Sequence, residues 1–122
     1  MKTKKIFVVE DDHGIREVIG LILSEDPYQV VMCPTAKDFL NDMQKEVPDI
    51  ILMDIMLPDG NGIDLCRKIK ECDGAREIPV LLMSAHFNDQ ANISHADAFI
   101  AKPFDISELK STVQKYLNEE DM

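Results

Sequence analysis

Short apolar runs alternate with amphipathic stretches along the chain. Ile6-Phe7-Val8-Val9 is apolar at successive positions and predicts a buried strand. Ile15, Val18, Ile19 and Ile22 then recur at helical spacing. Gln29 to Cys33 predicts a second strand, and Ala36 to Lys45 a helix that turns Phe39, Leu40 and Met43 inward. Ile50-Ile51-Leu52-Met53 predicts a third strand, followed by a helix from Gly62 to Glu71 that buries Leu65, Cys66 and Ile69. Val80-Leu81-Leu82-Met83 and Ala98 to Ala101 complete the strands. A last helix from Ile106 to Leu117 places Leu109, Val113 and Leu117 on one face, and Asn118 to Met122 reads as a frayed acidic tail.

Local signals agree with these boundaries. Thr35 with Asp38, and Asp105 with Glu108, have the spacing of acid-assisted helix N-caps. Pro27, Pro48 and Pro79 sit where the chain turns into strands, and Gly60 and Gly62 punctuate the loop after the third. Strands that are apolar throughout, rather than alternating, belong in a parallel sheet covered on both faces. The alternation of strand and helix therefore predicts an α/β fold, a doubly wound five-stranded parallel sheet with helices on both faces. Ligands of such folds bind beyond the carboxyl ends of the strands.

At 122 residues the chain has the size of one domain. No apolar run approaches the roughly 18 residues of a membrane span, and the basic N-terminus is followed by only four apolar residues before Glu10, too few for a signal peptide. A cytoplasmic protein is expected. Lys and Arg number 13 against 23 Asp and Glu, a net charge of −10, which disfavours direct nucleic-acid binding because phosphates are neutralised by Lys and Arg. Cys33, Cys66 and Cys72 form no C-x-x-C pair and have no His at ligand spacing, so reduced thiols are expected.

The chemistry gathers at one edge of the predicted sheet. The first strand ends in Glu10-Asp11-Asp12, the third in Asp54, the fourth in Ser84 and the fifth in Lys102. An acidic residue after a strand is ordinarily a solvated turn or a helix cap; four polar ends at one edge are harder to explain that way. Ionised carboxylates about 5 Å apart repel by roughly 3 kcal/mol per pair at an effective dielectric near 20. A cluster of Glu10, Asp11 and Asp54 therefore calls for protonation or a cation, and hard oxygen donors suit magnesium. With Lys102 to neutralise phosphoryl oxygens and Ser84 to donate a hydroxyl hydrogen bond, a carboxylate can attack phosphorus and become an acyl phosphate. Asp54, at the end of the central strand, is the best-placed nucleophile, with Glu10 and Asp11 better placed to hold the metal.

These motifs resemble the receiver domain of two-component response regulators, over nearly the whole chain (1–122). The resemblance rests on Ile6-Phe7-Val8-Val9-Glu10-Asp11-Asp12 and on Pro48-Asp49-Ile50-Ile51-Leu52-Met53-Asp54 with Leu57-Pro58-Asp59-Gly60-Asn61-Gly62. Pro79-Val80-Leu81-Leu82-Met83-Ser84-Ala85 and Ala101-Lys102-Pro103-Phe104 complete it. It implies a flavodoxin-like strand order 2-1-3-4-5. It implies that Asp54 accepts phosphate from a sensor histidine kinase or a phosphotransfer protein, and that Glu10, Asp11, Asp54 and the backbone carbonyl of Met56 organise magnesium. Asp12 is left as a helix cap. It further implies a switch in which Ser84 and Phe99 turn toward the phosphorylated site, a cis Lys102-Pro103 bond, and an unnamed downstream protein partner. Such a protein is not an enzyme beyond its own phosphorylation and dephosphorylation.

One departure stands out. The chain between Ser84 and Lys102 is shorter than the family norm by about four residues, roughly one helical turn. With Asn88, Asp89, Asn92 and Ser94 favouring turns, the fourth helix is expected to be shortened to at most two turns between Phe87 and Ala96. Two alternatives compete with a stand-alone switch. The chain could be the receiver of a longer regulator. A magnesium-dependent phosphohydrolase of the haloacid dehalogenase type would want a second Asp two residues after Asp54, where Met56 stands.

Overall fold

The computed structural model describes residues 3–85 and 95–119. In chain order its elements are β1 (Lys5–Val9), α1 (His13–Leu23), β2 (Gln29–Cys33), α2 (Ala36–Lys45), β3 (Ile50–Asp54), β4 (Met56–Leu57), β5 (Gly60–Asn61), α3 (Gly62–Glu71), β6 (Val80–Ser84), β7 (Ala98–Ala101) and α4 (Ile106–Glu119). Five strands pair in parallel in the order β2-β1-β3-β6-β7. This is the expected 2-1-3-4-5 order, with β4 and β5 set apart as a small antiparallel ribbon. The expected short helix between Phe87 and Ala96 falls mostly on residues 86–94, outside the described residues.

Strand residues divide by alternation between two cores. Phe7, Val9, Ile51, Met53, Val80 and Leu82 face α2 and α3, where Phe39 meets Phe7 edge to face with ring centroids 6.4 Å apart. Ile6, Val8, Ile50, Leu52, Leu81 and Met83 face α1 and α4, meeting Ile19, Leu109 and Val113. The sheet is thus buried on both sides, which is why its central strands are apolar at every position. Burial pushes the Cys33 thiol up to about 12 and that of Cys66 up to about 11, so both sulfurs stay protonated.

Two helical faces differ from expectation. Leu40, expected inward beside Phe39, is 47% exposed, and Val18 is 44% exposed. Each lies at the flank of its apolar stripe, because a neighbouring residue is turned by about 100° around a helix. The caps form as anticipated: Asp12 accepts from the Ile15 amide at 2.9 Å, Thr35 from Asp38 at 3.0 Å and Asp105 from Glu108 at 3.1 Å. The last helix runs to Glu119, two residues past Leu117, since the final apolar contact marks the end of burial rather than of the helix.

A lysine closes the amino edge of the sheet. Lys70 Nζ donates to the carbonyls of Arg76 (3.3 Å) and Ile78 (2.8 Å) and to Asp97 Oδ2 (2.7 Å). Asp97 Oδ2 also accepts from the Val80 amide at 2.8 Å, and the Asp97 carbonyl accepts from the Tyr116 hydroxyl at 2.7 Å. One ion pair thereby joins α3, the entry to β6, the entry to β7 and α4. Lys70→Met, which keeps the stem and removes the charge, is expected to cost about 2–3 kcal/mol in urea denaturation, the scale of a hydrogen-bonded charge left without its partner. Phosphorylation at the opposite edge should be unchanged.

Candidate functional site

The carboxyl ends of β1, β3, β6 and β7 converge where the strand order reverses, and they deliver Glu10, Asp54, Ser84 and Lys102. Glu10 is 1%, Ser84 3% and Asp54 8% exposed, the buried polar residues of an otherwise apolar interior among the described residues. Asp11 is exposed at the rim. Carboxylate oxygens of Glu10, Asp11 and Asp54 all lie within 4.8 Å of one another.

Lys102 answers this charge. Its Nζ stands 2.6 Å from Glu10 Oε1 and 3.1 Å from Asp54 Oδ2, with the lysine side chain 14% exposed. The backbone holds it there, because the Lys102 amide donates to the Ser84 carbonyl at 2.8 Å and so extends the β6–β7 ladder. The Lys102-Pro103 bond is cis. Glu10 Oε2 accepts from the Asp12 amide at 3.2 Å, and Asp54 Oδ1 from the Met56 amide at 3.3 Å. Burial raises the Glu10 carboxyl above its ordinary value, outweighing the lowering effect of the Lys102 hydrogen bond. For Lys102 burial acts to lower the ammonium pKa, but the Glu10 hydrogen bond and the Asp54 charge overcome it, and the net shift is upward. The lysine stays charged throughout the physiological range.

Above these groups opens a cleft of about 170 Å³ lined by Asp54, Met56, Ser84, Ala85 and Lys102. Three converging carboxylates, one of them fully buried, form a hard-oxygen donor set that fits magnesium. Met56 is largely exposed at the cleft's rim, while Phe99, paired in register with Leu82, is half-buried against the core on the α2–α3 side.

Several features of the site were not anticipated from the sequence. The β4–β5 ribbon places Met56 opposite Asn61, and its turn is tied down by Asp59, whose carboxylate accepts from the amides of Ala36 (2.8 Å) and Lys37 (3.1 Å) at the start of α2. The Ala36 amide chiefly lowers the Asp59 carboxyl below the usual range. Arg16 reaches back from α1 to the β1–α1 loop, with Nη1 2.9 Å from the Glu10 carbonyl and 2.8 Å from that of Asp11. The Leu57-Pro58-Asp59-Gly60 run could have signalled a tight ribbon turn; nothing in the sequence announces the Arg16 contacts.

Among the described residues no helix is long and apolar enough to cross a membrane. Residues 6–114 match the response regulator receiver domain family. The chain is 31% identical over 121 residues to sporulation initiation phosphotransferase F of Bacillus subtilis, covering 96% of each protein. It is 32% identical over 115 residues to the phosphate regulon transcriptional regulatory protein PhoB of Escherichia coli, covering 91% of this chain but only 50% of that regulator. The chain thus spans about half the length of the PhoB proteins it resembles. Among solved structures, the receiver domain of the sensor histidine kinase PA1611 from Pseudomonas aeruginosa superposes with a TM-score of 0.85 at 26% identity, over 96% of this chain and 99% of that one. That structure has a magnesium ion coordinated in its active-site cleft. The shared fold, the family match along most of the chain and the acidic cluster agree: this chain belongs to the response regulator receiver domains, the phosphoacceptors of two-component signalling.

Proposed function

We propose that Asp54 is the phosphoacceptor of this receiver, with Glu10, Asp11, Asp54 and the backbone carbonyl of Met56 as the magnesium ligands. The observation that carries the reading is Lys102 bridging Glu10 and Asp54 beside a third carboxylate. An Asp54 oxygen attacks the phosphorus of a phosphohistidine on a sensor histidine kinase or phosphotransfer protein. The new P–O bond forms as the P–N bond breaks, and the departing imidazole takes a proton from solvent. Magnesium, when bound, neutralises charge on the transferring phosphoryl oxygens. Lys102 leaves its pairing with Asp54 to contact a phosphoryl oxygen. Ser84, at the cleft wall, then turns its hydroxyl toward the phosphoryl group, and Phe99 follows on β7, changing the surface that a downstream protein reads. The protein acts in the cytoplasm as a switch rather than on a separate substrate.

The donor's docking place is supported by the surface beside the cleft. An apolar groove of about 560 Å³ is lined by Gly14, Ile15, Val18, Pro103 and Phe104 and shares Lys102 with the site. A helix laid there brings its histidine to the mouth of the cleft.

Acetyl phosphate supplies the same phosphoryl group without a kinase. Incubated with it and magnesium, the protein is expected to gain one phosphoryl group by intact mass, and Asp54→Ala to gain none. An adduct that persists in Asp54→Ala, or forms equally well with excess chelator, would sink the assignment.

A further inference from the structure

Resting on the metal-site reading above, we infer that Arg16 is a positioning residue for magnesium: it holds Glu10 and Asp11 in the loop conformation that lets both carboxylates face Asp54. Successive side chains of an extended strand point to opposite faces, so Glu10 and Asp11, directly following β1, would diverge if the strand continued. They converge with Asp54 instead, although Glu10 is buried and Asp11 exposed. The chain must therefore bend at this point. The bend is held from outside the loop, since one Arg16 nitrogen gathers both successive carbonyls, 2.9 and 2.8 Å away. Arg16 lies in the first turns of α1, whose N-cap is Asp12, so the loop is clasped between its own cap and a side chain reaching back one turn later. The remaining restraints act on Glu10 and Asp12: the Glu10 amide donates to the Cys33 carbonyl at 3.1 Å, its Oε1 accepts from Lys102 and its Oε2 from the Asp12 amide, while the Asp12 carbonyl and carboxylate accept from the Arg16 and Ile15 amides of α1. The contact from Arg16 to the Asp11 carbonyl is what ties the exposed ligand into the bend.

Charge and positioning make opposite predictions. The guanidinium is a cation near an acidic cluster, so charge alone makes its removal tighten magnesium binding. Loss of positioning weakens it, and partners that orient metal ligands typically contribute roughly ten- to a hundredfold in affinity. Arg16→Ala is therefore expected to weaken magnesium binding by roughly tenfold or more, followed by amide chemical shifts of residues 10–12 and 54–56 during titration with magnesium chloride. Arg16→Lys keeps a charged donor able to serve both carbonyls and should restore most of the affinity. Arg67→Ala, which removes the same charge from an exposed Asp64 pair on α3, should bind as the wild type does. Should Arg16→Ala lose the dispersed amide spectrum of a folded chain, Arg16→Gln takes its place with the same expectation. An unchanged or tighter affinity in the folded Ala or Gln variant, with normal wild-type binding, overturns the inference. A wild type whose amides do not respond to magnesium removes the metal-site reading itself and the inference with it.

Discussion

Lys102→Ala is expected to make the folded protein depend on a divalent cation. Without the lysine, the Glu10 carboxylate keeps the Asp12 amide as its partner among the described residues, and it sits at a site that is 1% exposed in the native chain, within 4.8 Å of two other carboxylates. Removing one member of a fully buried pair costs about 3–5 kcal/mol, because the other charge is left without compensation. The Lys102 side chain is itself 14% exposed, so water relieves part of this, and a loss of about 2–3 kcal/mol in chelator at neutral pH is expected. The pH dependence has a definite sign. Glu10 titrates above its ordinary 4.5 in the folded chain, through burial first, and losing the Lys102 hydrogen bond raises it further. A group shifted upward contributes stability that is fully present below its unfolded value and is lost as pH rises through the folded one. The deficit of Lys102→Ala should accordingly be large at pH 7 and shrink toward pH 4.5. Magnesium should narrow it as well, since the ion competes with the Lys102 ammonium in the wild type and meets uncompensated carboxylates in the variant, and each tenfold tighter binding to the variant recovers about 1.4 kcal/mol at saturation. Phosphoryl uptake from acetyl phosphate should nonetheless stay depressed by roughly a hundredfold at saturating magnesium, the scale of a lost contact to developing charge. Thermal unfolding at both pH values, with and without magnesium, together with intact mass, tests each part. A deficit that is the same at pH 4.5 and pH 7 would show that Lys102 does not compensate Glu10, and uptake fully restored by magnesium would show that it makes no phosphoryl contact.

How far the site can be read from the sequence follows from which interactions are local. Strands buried on both faces are apolar at every position, so Ile6 to Val9, Ile50 to Met53 and Val80 to Met83 stand out, and the residue after each falls at the functional edge. Caps such as Asp12 and Thr35 act over three residues and leave a short signature. Lys70 and Asp97 are 27 positions apart, and Lys70 has no feature that separates it from the solvated lysines until the α3–β6 connection folds over it. Asp59 reaches α2 across 23 positions and reads in sequence only as a turn residue. The β4–β5 ribbon has two residues per strand, too few for any periodicity. Leu40 failed for a different reason: apolar character marks a residue that can be buried, and only the angular position on α2 decides whether it is.

Gly62→Ala is expected to combine a large loss of stability with a loss of phosphorylation, because the space behind Asp54 is already filled by backbone. A Cβ built on Gly62 would overlap the Asp54 carbonyl oxygen and lie 2.9 Å from the Ile55 Cα and 3.1 Å from the Asp54 carbonyl carbon. None of these can rotate away as a side-chain tip could. The backbone angles are not the issue, since no described glycine has a positive φ; the requirement is closeness alone. α3 begins here, with Asn61 capping it through the amides of Ile63 and Asp64, and the Gly62 amide donates to the Ile55 carbonyl at 2.7 Å. Either α3 moves out, breaking that bond, or the Asp54–Ile55 backbone moves in. Overpacking costs about 1–3 kcal/mol where side chains can yield, so with backbone on the receiving side about 3 kcal/mol is expected. An inward shift also displaces the Asp54 carboxylate from the Met56 amide and from Lys102, now 3.3 and 3.1 Å away. Gly74→Ala is the natural comparison, since nothing lies within 4 Å of a Cβ there, and its effect should stay within about 0.5 kcal/mol. Urea denaturation of both variants, with acetyl phosphate uptake measured where each is fully folded, separates the outcomes. If Gly62→Ala matched Gly74→Ala in both, the approach of α3 to the phosphoacceptor strand would have slack, and the position of Asp54 would have to be set by its side-chain partners instead.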